Sequence, residues 1–152
     1  MADRYYTLHI AGCTRNLPIL NVTDKLAIAG FVMLGDVELT DACARELAKK
    51  VPPETDYVLT AETKGIPLAE ELARALGMDR YIVARKSVKA YMENALWVDD
   101  VISTGGSMKA LVELTEKAGG KVIGQACVLA EGNAAKRDDI IFLEPLPLFD
   151  AE

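Results

Sequence analysis

Ala95-Leu96-Trp97-Val98-Asp99-Asp100-Val101-Ile102-Ser103-Thr104-Gly105-Gly106-Ser107 reads as a short apolar strand, an adjacent pair of carboxylates, a small-residue loop and the start of a helix. In that order, backbone N–H groups and a helix N-terminus lie beyond a strand end, an arrangement that binds phosphate. Gly105 and Gly106 let the backbone approach a phosphate closely, and Thr104 and Ser107 add hydroxyl donors. The two aspartates would repel the phosphate itself. They suit a ligand that also carries hydroxyls, or a hydrated Mg²⁺, a few ångströms away. A phosphorylated sugar meets both demands. An ordinary strand-to-helix turn needs neither two acids nor Thr-Gly-Gly-Ser. The Walker ending and the dinucleotide glycine spacing are both absent.

Outward from this stretch the chain alternates strand and helix. Residues 56–61 read as a strand, and 67–76 as a helix with Pro67 early and Gly77 as its stop. Strands follow at 80–85 and 95–98, a helix at 107–118 closing on Gly119-Gly120, and strands at 122–129 and 140–143. Continuous apolar strands alternating with amphipathic helices predict an α/β, doubly wound, mostly parallel sheet covered on both faces. Residues 37–143 form this core in the reading, and 1–36 a small N-terminal hood. Within the hood, 5–10 is a strand and 12–23 a polar loop or edge excursion. The apolar stretch 25–34 is strand or helix. Thr40 is the expected N-cap of a helix over 41–50, which Pro52-Pro53 ends. His9 reads as a structural strand residue and Trp97 as core.

Size and composition bound the rest. A chain of 152 residues, 51% of them apolar, is expected to form a single domain over 1–152 with a real core. No apolar run is long enough to span a bilayer. Met1-Ala2-Asp3-Arg4-Tyr5 lacks the basic-then-apolar order of a signal peptide. Cys13, Cys43 and Cys127 are scattered, without metal spacing, and read as reduced, buried thiols of a cytoplasmic protein. The net charge of −6 opposes a general nucleic-acid or membrane surface. A polyanionic ligand must therefore be held by a local site.

In open α/β sheets ligands sit beyond the carboxyl ends of the strands, where strand order reverses. Two further segments leave those ends. Glu62-Thr63-Lys64-Gly65-Ile66 offers backbone N–H groups ahead of a helix and one ammonium, and its Lys64–Gly65 peptide is a candidate for a cis bond. Ala84-Arg85-Lys86-Ser87-Val88-Lys89 is a cation cluster in an otherwise acidic chain.

An apolar strand, a double acid and then Thr-Gly-Gly-Ser resembles the phosphoribosyl-pyrophosphate signature of the type I phosphoribosyltransferases. That resemblance implies the type I fold and a Mg²⁺-dependent transfer of phosphoribose to a base with loss of pyrophosphate. Asp99 and Asp100 would hold the ribose hydroxyls, directly or through Mg²⁺, and Asp100 is also a candidate for moving a proton on the base. Ser103, Thr104, Gly105, Gly106 and Ser107 would wrap the 5′-phosphate. Glu62, Thr63, Lys64 and Gly65 would form the pyrophosphate loop, with Arg85, Lys86 and Lys89 facing the same group. Lys64 and Arg85 join the acid pair as expected catalytic residues. The spelling Glu-Thr-Lys-Gly-Ile-Pro-Leu-Ala, with Ala-Arg-Lys after it, is similar to the purine-type members. These are the adenine and xanthine phosphoribosyltransferases and the purine-repressor effector domain. A purine base or nucleotide, adenine first, is the implied partner. The base site is assigned to Arg15, Val101 and Glu131, with 14–19 and 130–132 as the hood. A homodimer is implied as well.

One departure from that pattern stands out. Only the eight residues 87–94 join the strand ending at Arg85-Lys86 to the one beginning at Ala95. Parallel strands ordinarily need a crossover of about a dozen residues. Eight extended residues reach roughly 26–29 Å, against about 20 Å needed to return along one strand and pass a neighbour. The connection is taut and too short for a helix. The long covering loop that the resemblance implies here is missing. Two readings follow: an active purine phosphoribosyltransferase, or a binding module that keeps the phosphosugar crevice and has lost turnover with its cover. A scaffold on a borrowed fold is the third reading.

Overall fold

The computed structural model describes residues 4–84 and 93–152. Its core is a five-stranded parallel sheet in the order β5-β4-β6-β7-β8, built from β4 (Tyr57–Ala61), β5 (Ile82–Ala84), β6 (Ala95–Ile102), β7 (Val122–Glu131) and β8 (Glu144–Leu146). Helices α1 (Val37–Ala48) and α2 (Ile66–Ala75) cover one face. There Leu39, Cys43, Leu47, Leu68 and Leu72 share a core with Leu96, Val98 and Val128. Helix α3 (Gly106–Lys117) covers the other, where Met108 packs with Leu59, Trp97 and Cys127. The expected two-faced α/β sheet is borne out.

Trp97 is fully buried in this second layer, and its indole N–H donates to Thr115 Oγ1 at 3.1 Å. Thr115 in turn donates to the Leu111 carbonyl at 2.8 Å, so the polar atoms under α3 are satisfied. A fully buried aromatic or leucine of this kind contributes about 1.5–3 kcal/mol by leaving water. Cys43 and Cys127 are buried free thiols as expected, whereas Cys13 is only half-buried. Burial pushes both buried thiols up to about 12.

The N-terminal part is an antiparallel sheet, β1-β2-β3-β9, made from β1 (Tyr5–Ile10), β2 (Cys13–Asn21), β3 (Ala27–Ala29) and β9 (Leu148–Phe149). The stretch 12–23, expected as a loop or edge excursion, is therefore mostly strand, paired on both sides. Ala11 and Gly12, both at positive φ (50° and 79°), make a two-residue turn that sets Ile10 opposite Cys13. The apolar run 25–34 resolves as the short strand β3 and the irregular segment after it. The hood also takes β9 from the far end of the chain.

Two other boundaries move. Helix α1 is capped by Asp36, whose carboxylate accepts from the Leu39 N–H at 3.1 Å, and not by Thr40. Thr40 lies one turn in and donates its hydroxyl to the Asp36 carbonyl at 2.6 Å. The last core strand is β8, beyond the expected 140–143, where Ile141 makes only an isolated bridge to Ala126.

Candidate phosphosugar site

Strand order reverses between β4 and β6: the chain moves outward from β4 to β5, then crosses to β6 on β4's other side. A cleft of about 710 Å³ opens at that point, beyond the carboxyl ends of the strands. Its walls bring together Thr63 and Lys64 after β4, Asp99 and Asp100 on β6, Ser103 of the glycine loop, and Glu131 at the end of β7.

The acid pair lies inside β6, because Val101 and Ile102 continue the strand against Leu129 and Ala130 of β7. On its other side β6 is paired with β4 only from Ala95 to Trp97. Asp99 and Asp100 thus sit on a projecting length of strand, open toward the turn after β4. The Asp100 backbone N–H donates to Asp99 Oδ1 at 2.8 Å, and the Val101 N–H to Asp100 Oδ1 at 2.9 Å. Burial raises the Asp99 carboxyl to about 6; the bond from the Asp100 N–H pulls it back, Asp100's charge pushes it up, and Lys64 pulls it down.

Gly65 is the hinge of the turn after β4. A Cβ there would overlap the hydroxyl of Thr60, which donates to the Val98 carbonyl at 3.0 Å, and would stand 3.4 Å from Asp99 Oδ1. Only glycine lets the turn lie this close to the acid pair. The cis peptide bond falls at Glu62–Thr63, two bonds before the expected Lys64–Gly65.

Gly105 caps α3 from the left-handed region, at φ 79°, with no side chain to satisfy the first-turn N–H groups. Those groups are left to a ligand or to water.

The residues assigned to the base do not all reach the cleft. Val101 and Glu131 line the cleft, and Glu131 is 9% exposed. Arg15 does not: it points to the start of α1, where Nε donates to Asp36 Oδ2 at 2.7 Å and Nη2 to Glu38 Oε2 at 2.7 Å. The alternation of β2 turns it onto that ion pair, and the hood wall of the cleft is formed by Ile28–Val32, with Leu146 of β8 also lining the cleft. Arg85, Lys86 and Lys89 lie outside the described residues, as do 87–92 of the short connection. The apolar run 25–34 carried the only sequence signal for the hood wall, and it was spread over too many residues to single out Phe31 or Val32.

The described residues contain no cluster of three or more acidic, His or Cys groups that would enclose a metal. Two adjacent carboxylates beside an open cleft suit a Mg²⁺ ion that completes its shell with water and ligand oxygens. No helix among the described residues is long and apolar enough to cross a membrane.

Strand, acid pair, glycine loop and helix at the switch point of a doubly covered sheet define an α/β protein with a candidate phosphosugar cleft. Comparison narrows the class. The family model of the phosphoribosyl transferase domain matches residues 92–146. The hypoxanthine/guanine phosphoribosyltransferase of Methanococcus voltae is 27% identical over 72% of this chain and 71% of its own length. The orotate phosphoribosyltransferase of Caldanaerobacter subterraneus is 35% identical over 57% of this chain and 50% of its own. In fold, the adenine phosphoribosyltransferase of Thermoanaerobacter pseudethanolicus superposes with a TM-score of 0.66 at 18% identity, over 85% of this chain and 95% of that one. The matched domain and these relatives are phosphoribosyltransferases, to which the chain is similar in sequence, and its fold is that of the type I members.

Proposed function

We propose that the protein transfers phosphoribose from phosphoribosyl pyrophosphate to a purine, adenine first among them, releasing pyrophosphate and forming a nucleoside monophosphate. The observation that carries this is the convergence of Thr63-Lys64, Asp99-Asp100, Ser103 and Glu131 on one cleft. In the displacement the ribose C1–O bond to pyrophosphate breaks, its electron pair leaving with the diphosphate, a bond from C1 to a base nitrogen forms, and the proton of the base passes to the Asp100 carboxylate. Positive charge gathers on the sugar as the diphosphate leaves. Asp99 and Asp100 orient the ribose hydroxyls and lie where that charge develops. The Lys64 ammonium and the N–H groups of the Thr63–Gly65 turn receive the diphosphate, joined by Arg85, Lys86 and Lys89. The loop Ser103–Ser107 anchors the 5′-phosphate at the head of α3, so catalysis rests on positioning and electrostatics. Mg²⁺ bound at the acid pair would neutralise diphosphate oxygens.

Glu131 favours a purine over orotate. Among the described residues lining the cleft the one cation is Lys64, and Glu131 is a nearly buried carboxylate. Orotate would bring its own carboxylate toward Glu131, whereas a purine offers N–H groups for it to accept. Adenine is favoured because its exocyclic amine donates where the 6-oxo purines present an oxygen. The loop spelling noted above points the same way.

We also propose one catalytic unit over 1–152, working in the cytoplasm as a homodimer that sedimentation would detect. The short connection 87–94 supports a second reading, a regulatory module that binds phosphoribosyl pyrophosphate or nucleotide without turnover. Calorimetry with phosphoribosyl pyrophosphate and Mg²⁺, beside a turnover assay with purines, separates them: binding without turnover selects the module.

A further inference from the structure

Arg137 has no role in the reading so far, yet it stands against the phosphate loop. It follows the 3-10 turn Gly132–Lys136 that leaves β7. Nε and Nη2 of its guanidinium donate to the two carboxylate oxygens of Asp139, each at 2.7 Å. This two-point grip fixes the guanidinium plane, and the remaining nitrogen, Nη1, is turned to Gly105. A Cβ placed on Gly105 would lie 2.6 Å from that nitrogen. The space that any other residue in the loop would fill is thus taken by a cation. The pair is partly exposed, with side chains 31% and 58% accessible, and such a pair contributes little to stability. Placement at the loop is what it supplies.

The electrostatics make that placement consequential. The chain carries a net charge of −6, and the cleft gathers Glu62, Asp99, Asp100 and Glu131 against Lys64. Backbone N–H groups bring only partial charges to a phosphate dianion. A fixed guanidinium at the loop adds a full charge that costs no side-chain ordering when ligand arrives.

We infer that Arg137, held by Asp139 against Gly105, is a positioning residue for phosphate: it fixes the left-handed turn and adds positive charge to the loop that binds the 5′-phosphate. The inference rests on the phosphosugar reading of Ser103–Ser107. It assigns to the segment after β7 a part in phosphate affinity distinct from that of Glu131 at the base.

Calorimetry with ribose 5-phosphate, AMP and unphosphorylated adenosine tests it on the wild type and on Arg137→Ala, Arg137→Lys and Asp139→Asn, each checked by thermal melting. Arg137→Ala is expected to weaken ribose 5-phosphate and AMP about tenfold, the scale of losing one cation near a dianion at a protein surface. Adenosine affinity stays within about twofold. Arg137→Lys restores part of the loss. Asp139→Asn, which keeps the guanidinium and loosens its tether, gives an intermediate loss and serves if Arg137→Ala fails to fold. Added salt weakens ribose 5-phosphate less in Arg137→Ala than in the wild type. Unchanged phosphate affinity in Arg137→Ala and Asp139→Asn overturns the inference, as does equal weakening of AMP and adenosine. A wild type that binds no ribose 5-phosphate overturns the phosphosugar reading along with it.

Discussion

The Thr60 hydroxyl, near the end of β4, occupies the space beside Gly65 that any side chain there would need, and it donates to the Val98 carbonyl one residue ahead of the acid pair. The contact sets how closely the turn carrying Thr63 and Lys64 approaches Asp99 and Asp100, the proposed diphosphate and ribose sites. Gly65→Ala must push the turn outward, at a cost of about 1–3 kcal/mol for an overpacked buried site. Turnover should fall roughly 100-fold, since a shift of about 1 Å in a positioning group has effects of that order. Thr60→Ala added to Gly65→Ala relieves the overlap. Chemical denaturation of both variants and of Thr60→Ala should then give a favourable coupling energy, and strict additivity would show that the two positions are independent.

Asp99 links pH to stability. Its carboxyl is raised in the fold to about 6, chiefly by burial. The native state therefore holds this proton more tightly than the unfolded chain, whose Asp titrates near 3.9. With more protons bound natively, the stability gained from Asp99 is complete below about pH 4 and is lost as pH rises through about 6. In metal-free protein at pH 7.5, Asp99→Asn should raise the unfolding free energy by about 1–2 kcal/mol and lower turnover at least 100-fold. Urea titrations at pH 4.5 and 7.5 check this: the gain should be present at the higher pH and nearly absent at the lower.

Arg15 and Asp36 separate stability from base recognition. Arg15 holds the Asp36 carboxyl below its usual range, and Asp36 caps α1. The folded pKa being depressed, Asp36 contributes stability above the unfolded value that is lost as pH falls through the folded one. Asp36→Ala should cost about 1–2 kcal/mol, mainly from the lost cap. Steady-state kinetics of Arg15→Ala should show the KM for the base within about twofold of wild type. A tenfold rise would return Arg15 to the base site.

Glu131 carries the proposed choice of base. Glu131→Lys reverses the charge at the end of the cleft, so purine affinity should fall about tenfold or more while orotate binding becomes detectable. The KM for phosphoribosyl pyrophosphate should move much less than that for the base. Equal changes for both substrates would mean that Glu131 acts on the fold of the cleft and not on the base.

The sequence was most readable where local chemistry alone sets the structure. Val98-Asp99-Asp100 and Thr104-Gly105-Gly106 marked strand, acids and loop before helix α3, and Pro67 and Gly77 bracketed α2 within a residue of its observed ends. It was least readable where long-range pairing decides. Cys13–Asn21 looked like loop because Asn16, Pro18 and Asn21 are poor strand residues, yet the turn at Ala11-Gly12 docks it on β1. Asp36 was passed over for Thr40, although both have capping side chains, because nothing local shows that Arg15 braces Asp36 from β2. Arg137 sits in the charge run Lys136-Arg137-Asp138-Asp139, which carries no motif in the sequence, and only the fold sets it against Gly105.

The most direct test is turnover of the purified protein with phosphoribosyl pyrophosphate, Mg²⁺ and, in parallel, adenine, hypoxanthine, guanine, xanthine, uracil and orotate, following nucleoside monophosphate and pyrophosphate together. The account predicts equal amounts of the two products with a purine, fastest with adenine, and none with orotate. Turnover of orotate alone, or tight binding of phosphoribosyl pyrophosphate with no product from any base, would contradict it.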